Sequence, residues 1–169
     1  MQKIKVGFSK PKKWKPFAWI IMVGYGIPYD HVYISFRSEK YNRTMIYQAS
    51  KTMVNFMGSE LFFKENLIFQ DFDIEIKDDL YVNMIKFCID NAGKPYGFKQ
   101  CLGMAWVRIN EIFGRYIENP FKDKGKTYVC SEMGAYILEE FAGAKIPRDI
   151  DDITPKDLYE YLLKLKPSV

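Results

Sequence analysis

The segment from position 126 to 141 most constrains the fold, because its pattern changes from extended to helical at a cysteine. Residues 126–129 form an extended pattern, and from position 130 the apolar residues recur at helical spacing. The face that they form carries Cys130, Met133, Gly134, Ile137, Leu138 and Phe141. We therefore predict an amphipathic helix that begins at Cys130 and directs Glu132 away from its apolar face.

The position of Cys130 suggests chemistry as well as structure. Free N–H groups and the positive end of the helix dipole favour a thiolate in the first turn of a helix. The chain contains one histidine, His31, so a cysteine–histidine nucleophilic pair has only one possible base. The alternative is structural, since a free cysteine on an apolar helix face is most often a small core residue. Cys88 and Cys101 lie inside helical patterns and are predicted to be core or near-core residues.

His31 opens a segment that alternates strictly between polar and apolar residues. Residues 31–36 therefore predict a strand with His31 and Val32 on opposite faces, and residues 45–50 predict the next strand. A hairpin centred between positions 39 and 40 would set Gln48 directly opposite His31 on the same face. A glutamine on a strand is ordinarily a solvent-facing residue. In a site, its carbonyl would accept the Nδ1–H of His31 and leave Nε2 toward the thiol.

The remaining pattern predicts a small antiparallel sheet from the first half of the chain and helices mostly from the second half. Further strands are expected at 2–8, 53–57 and 67–76, with a short buried helix at 17–25. Another helix carries Leu102, Ala105, Trp106, Ile109, Phe113 and Tyr116 at regular spacing. This order predicts an α+β fold, and a length of 169 residues predicts a single domain over 1–169.

The charge composition bears on which partners the chain could bind. A net charge of +4 is too mild to argue for nucleic acid. Six lysines cluster early in the chain, namely Lys3, Lys5, Lys10, Lys12, Lys13 and Lys15. We interpret them as part of a solvated loop, and the alternative is contact with an anionic surface such as phospholipid or teichoic acid. Nucleic-acid binding through them, with Trp14 and Phe17 stacking, is a weaker hypothesis that predicts steep salt dependence.

Cysteine usage and the N-terminal pattern bear on where the chain is made. Three cysteines without close spacing fit neither a disulfide framework nor a zinc site, which favours reduced thiols and synthesis in the cytoplasm. The apolar run at 17–27 lacks a following cleavage site, so we expect no signal peptide. It is also too short to cross a bilayer, so we expect no transmembrane segment.

Five stretches together resemble one protein family, the circularly permuted NlpC-like papain-fold cysteine hydrolases, which include the lecithin–retinol acyltransferase type. The stretches are Tyr29-Asp30-His31-Val32-Tyr33-Ile34, Ile46-Tyr47-Gln48-Ala49, Lys94-Pro95-Tyr96-Gly97-Phe98, Tyr128-Val129-Cys130-Ser131-Glu132 and Asp152-Ile153-Thr154-Pro155-Lys156-Asp157-Leu158. Their order resembles that of the family, with the histidine first, a polar residue on the next strand and the cysteine late. Three positions depart from the family pattern. Asp30 stands where serine is frequent, Gln48 where an acid or histidine is usual, and Gly97 where aspartate is usual.

The resemblance implies a permuted papain-like fold and thiol acyl transfer without metal or cofactor. In that mechanism His31 takes the proton of Cys130 or holds it in an ion pair, Gln48 orients His31, and the thiolate forms a thioester acyl-enzyme. The backbone N–H of Cys130 and a second donor would bind the oxyanion. Tyr29, Tyr33 and Tyr47 are equal candidates for that donor.

The substrate implied by the resemblance is a peptidoglycan peptide amide or a lipid acyl group. A wall hydrolase carried on a phage virion is a compatible context. A hypothesis of a different class is a non-catalytic binding or structural module that keeps the scaffold, and Gln48 is its best support in the sequence.

Overall fold

A computed structural model describes residues 1–50, 52–122 and 125–165. The strands are β1 (Gln2–Pro11), β2 (His31–Ser38), β3 (Arg43–Ser50), β4 (Met53–Gly58) and β5 (Asn66–Ile76). The helices are α1 (Pro16–Tyr25), α2 (Ser59–Glu65), α3 (Asp78–Asn91), α4 (Phe98–Ile112), α5 (Cys130–Ala142) and α6 (Pro155–Leu165), with a 3-10 turn at Ile150–Asp152.

The five strands form one antiparallel sheet in the order β4-β3-β2-β1-β5. Its main face carries the alternate apolar residues of β1, β2 and β3, which pack against α3, α5 and α6 in one buried cluster. Its second face carries a smaller cluster of Tyr33, Ile46 and Phe62, the last from α2. The prediction of an α+β fold with a small antiparallel sheet packed against helices is therefore confirmed.

The hairpin between β2 and β3 has a different register from the predicted one. Ile34 pairs with Tyr47 and Ser38 pairs with Arg43, so the turn is centred one position later than expected. Gln48 is then two positions away from direct opposition to His31. A shift of two preserves the face, because side chains alternate with a period of two. The side chains of His31 and Gln48 therefore still meet, as diagonal neighbours.

Gly7 makes room for a buried tyrosine on the second face of the sheet. Gly7 pairs with Tyr33, and a Cβ at Gly7 would lie 2.1 Å from the Tyr33 ring. That ring is fully buried, and its hydroxyl donates a 2.6 Å hydrogen bond to Asp71. The glycine is thus required by close approach and not by its backbone angles.

We expect Gly7→Ala to lower the free energy of unfolding by about 1–3 kcal/mol, because the ring must leave its packed position. Urea unfolding followed by circular dichroism measures this. Gly58→Ala is the matched control, since no atom of residues 1–50, 52–122 or 125–165 lies within 4 Å of a Cβ at that position. Equal unfolding midpoints for the two variants would contradict the packing argument.

Helix α1 does not match its predicted burial. We predicted a buried helix, but Ala18 is its one buried residue, and Phe17, Trp19, Ile20 and Val23 are exposed. Its apolar residues lie on all sides of the helix, so the rest of the fold can bury only some of them.

The predicted apolar stripe on α4 exists, but it faces outward. Leu102, Trp106, Ile109 and Phe113 are exposed. The opposite side packs inward through Gln100, Gly103, Met104 and Val107. Gly103 allows that approach, because a Cβ there would lie 1.7 Å from the Asn119 side chain.

Candidate active site

The start of α5 is held in place by three contacts. The backbone N–H of Val129 donates to the Glu132 carboxylate at 3.0 Å, which satisfies one of the free donors at the helix start. The Ser131 hydroxyl donates to the carbonyl of Ile153 at 2.7 Å, and the Gly97 N–H donates to the carbonyl of Tyr128 at 3.0 Å. Cys130 therefore occupies a fixed position at the first residue of the helix.

The prediction that Glu132 is directed away from the core is wrong. Its side chain is buried, although helical spacing alone places it off the apolar face. The reason is local, since the carboxylate turns back to the preceding main chain as a helix cap. The helical spacing of apolar residues does not reveal this capping role.

His31 and Gln48 are joined by a hydrogen bond of 2.7 Å between the His31 Nε2 and the Gln48 Oε1. The Gln48 amide nitrogen lies 3.4 Å from the Asn55 Oδ1, which fits the carbonyl oxygen facing the histidine. Nε2 then carries the proton and Nδ1 carries the lone pair. The predicted contact thus exists, but the roles of the two ring nitrogens are exchanged relative to the prediction.

Cys130 lies beside the residue that follows His31. The backbone of Val32 acts on the Cys130 sulfur as a hydrogen-bond donor and lowers its pKa. Both Cys130 and Val32 belong to the main buried cluster, whereas His31 contacts Phe62 of the second face, with 6.3 Å between ring centroids. No hydrogen bond joins the Cys130 sulfur to the His31 ring in the described part of the chain. Catalytic hydrogen bonds are often long without substrate and shorten when substrate binds.

Two adjoining cavities contain these residues. His31 and Gln48 line a cavity of about 260 Å³, and Cys130 lines a cavity of about 230 Å³ between α1 and α4. Four residues line both cavities and therefore lie between them: Phe17, Ile21, Asp30 and Tyr96. Cys130 is only 2% exposed, so the second cavity is its approach from outside.

Burial keeps both members of the pair neutral near pH 7. Burial raises the pKa of the Cys130 thiol to about 12, and the carboxyl of Asp30 adds to that rise. Burial also lowers the pKa of His31 to about 4, although the hydrogen bond that its Nε2–H donates to Gln48 raises it. The expectation of a thiolate at neutral pH is therefore not met by this conformation. Loss of solvation outweighs the dipole at the helix start.

A test follows from these pKa values. Only the thiolate reacts with iodoacetamide, so labelling of Cys130 should rise about tenfold per pH unit between about pH 7 and pH 10. Mass spectrometry of the Cys130 peptide measures the rate, and Cys88 is an internal reference because burial raises its pKa to about 12 as well. A constant rate of Cys130 labelling from about pH 5 to pH 8 would instead indicate a thiolate–imidazolium pair and contradict this account.

The three tyrosines considered as oxyanion donors line neither cavity. Tyr33 donates to Asp71, and Tyr29 packs against Phe8 and Tyr159 at 5.1 Å between ring centroids in each pair. The Tyr47 hydroxyl is buried, and no group in the described part of the chain forms a hydrogen bond with it. Tyr29 and Tyr47 share the main buried cluster with Cys130, but none of the three side chains lines its cavity.

Sequence reasoning missed the residues between the two cavities. Asp30 has a buried carboxylate oxygen with no hydrogen-bond partner among the described residues, and burial raises its pKa to about 6. The Tyr96 hydroxyl lies 3.4 Å from the sulfur of Cys101, which lines the same cavity as Cys130. The available signals were that Asp30 precedes His31 and that Tyr96 stands in the Lys94-Pro95-Tyr96-Gly97-Phe98 turn. The position of Tyr96 depends on long-range pairing with Tyr128.

No three His, Cys, Asp or Glu side chains among the described residues gather closely enough to hold a metal ion. No helix within the same residues combines the length and the hydropathy needed to cross a membrane.

Comparison with known proteins gives no relative. No family model, no curated protein and no solved structure matches the chain.

Proposed function

We propose that the chain is a thiol-dependent hydrolase in which Cys130 is the nucleophile, His31 is the base and Gln48 orients His31. The observation that carries this proposal is the 2.7 Å bond between His31 and Gln48 in a cavity adjoining that of Cys130. The fold we propose is the permuted papain-like one. The histidine on β2, the polar residue on β3 and the cysteine at the start of α5 follow that order in the chain.

Neutral Cys130 and neutral His31 require proton transfer during attack. The thiol proton passes to the His31 Nδ1, since Nε2 is already engaged by Gln48. The sulfur forms a bond to the substrate carbonyl carbon, and the imidazolium then protonates the leaving group as the thioester forms. Water then attacks the thioester carbon with His31 as base, the C–S bond breaks to release the acid, and the imidazolium returns its proton to the Cys130 sulfur. Because Gln48 is neutral, it stabilises the imidazolium less than a carboxylate would.

The backbone N–H of Cys130 is one donor for the oxyanion in this mechanism, because the first N–H groups of a helix have no partner within the helix. The second donor stays unassigned. Tyr96 is the tyrosine that lines both cavities.

Two substrate classes fit thiol acyl transfer, namely a peptide amide of peptidoglycan and a lipid acyl group. One observation favours the second class. The Cys130 cavity is lined mainly by apolar side chains, including Phe17, Ile20, Leu102, Met104 and Ile109. An acyl chain buries favourably against such walls.

Product release from the two substrates tests the proposal. The purified protein is incubated separately with peptidoglycan and with phospholipid vesicles. New amine groups indicate peptide cleavage, and free fatty acid indicates acyl hydrolysis. Either product must be absent with Cys130→Ala. Release of neither product, together with a folded protein, would favour the non-catalytic module.

A further inference from the structure

Helices α1 and α4 together expose an apolar surface, which we call the α1/α4 face. Its members are Phe17, Trp19, Ile20 and Val23 of α1, Phe98, Leu102, Trp106, Ile109 and Ile112 of α4, and Phe113. The two helices are neighbours, since Phe17 and Phe98 lie 5.6 Å apart between ring centroids and both helices line the Cys130 cavity. Neighbouring helices that expose this many large apolar side chains mark a place of contact with a partner or a membrane.

The three tryptophans of the chain lie on or next to this face. Trp19 and Trp106 are 51% and 53% exposed, and Trp14, just before α1, is 74% exposed. Tryptophan is usually buried in globular proteins, at least in large part. It is enriched where a protein meets the headgroup region of a bilayer, because its ring is apolar and its N–H is polar.

The charged residues beside the face are mainly positive. Lys10, Lys12, Lys13 and Lys15 precede α1, which itself carries no charged residue. In the described part of the chain no ion pair involves Lys10, Lys13 or Lys15. The acid of α4 is Glu111, which is paired with Arg108 and Arg148. Lys15 lines a cavity together with Asp30 and Glu65, so the free positive charge offered to an anionic partner is mainly that of Lys10 and Lys13.

We propose that the α1/α4 face binds the surface of an anionic phospholipid bilayer. The apolar side chains enter the boundary between headgroups and acyl chains, and the lysines before α1 contact the lipid phosphates. The cavity that contains Cys130 lies between these two helices, so binding directs its opening toward the lipid. The proposal depends on the exposed surface and stands without the proposed catalytic chemistry.

The experiment uses the full chain with phosphatidylcholine vesicles, with and without phosphatidylglycerol as about one third of the lipid. Vesicle flotation measures binding, and tryptophan fluorescence reports burial of Trp14, Trp19 and Trp106. We expect binding to the anionic vesicles with a blue shift of the emission, and weaker binding as salt increases. Each lysine that contacts the surface contributes about fivefold to the affinity, so Lys10→Ala/Lys13→Ala should weaken binding by at least tenfold.

A matched pair of variants separates this face from the rest of the surface. Val23→Glu/Phe113→Glu places two negative charges on the face and keeps all three tryptophans. Val82→Glu/Ile89→Glu places the same charges on α3, at residues that are 66% and 61% exposed. We expect at least tenfold weaker binding for the first variant and unchanged binding for the second.

Several outcomes would overturn the proposal. These are equal loss of binding in both variants, equal binding to vesicles without phosphatidylglycerol, or no binding at all. A stable dimer in sedimentation that the face variant alone disrupts would show that a second copy covers the face. Turnover of a water-soluble ester by the same preparations needs no bilayer, so it reports the proposed chemistry separately.

Discussion

Cys130→Ala is expected to reduce hydrolysis of p-nitrophenyl butyrate by about 10³-fold or more. The ester is small, soluble and activated, so its turnover depends on the nucleophile and little on recognition of the natural substrate. Without the sulfur no thioester forms, and loss of a nucleophile removes nearly all covalent catalysis. Spectrophotometric release of p-nitrophenol measures the rate.

The other two cysteines provide matched controls. Cys88 is buried on α3 and lines neither cavity, whereas Cys101 lines the same cavity as Cys130. We expect Cys88→Ala and Cys101→Ala to keep turnover within a few-fold of the unmodified protein. If Cys101→Ala lost activity and Cys130→Ala kept it, the nucleophile would have been assigned to the wrong sulfur.

His31→Ala is expected to reduce the same turnover by about 10²–10⁴-fold, the usual contribution of a general base. The effect should be large because the pKa of Cys130 is about 12, so the thiol cannot ionise unaided near pH 7. Added imidazole should restore part of the rate, since the substitution enlarges a cavity already of about 260 Å³.

Tyr33→Phe is the matched control for His31, because it removes a side-chain hydrogen bond from the same strand and the same face. It should lower stability without changing turnover or creating a response to imidazole. Full turnover by His31→Ala would exclude a role for the histidine as the base.

Much of the fold could be predicted because local patterns dominate it. Alternation places β2 and β3, and helical spacing places α5 from Cys130. The meeting of His31 and Gln48 was predictable despite a wrong register, because a shift of two residues keeps both side chains on one face. The face of the sheet on which a side chain lies is therefore easier to predict from sequence than its exact cross-strand partner.

Other features could not be predicted, because they depend on what the rest of the chain already covers. An apolar stripe on a helix predicts the side that faces the core. On α4, however, the close contact between Gly103 and Asn119 places the opposite side of the helix against the core. The pKa of Cys130 likewise depends on its burial, which helix position does not reveal. Asp30 gains its place between the two cavities only when α1 and Tyr96 pack around it.

The central claim is that the Cys130 sulfur carries the acyl group, and one measurement addresses it directly. The protein is incubated with p-nitrophenyl butyrate, quenched in acid, digested and mapped by mass spectrometry. We expect one butyryl thioester, on Cys130, formed by the unmodified protein and much more slowly by His31→Ala. A butyryl group on lysines alone, or on Cys101 with Cys130 unmodified, would contradict the account.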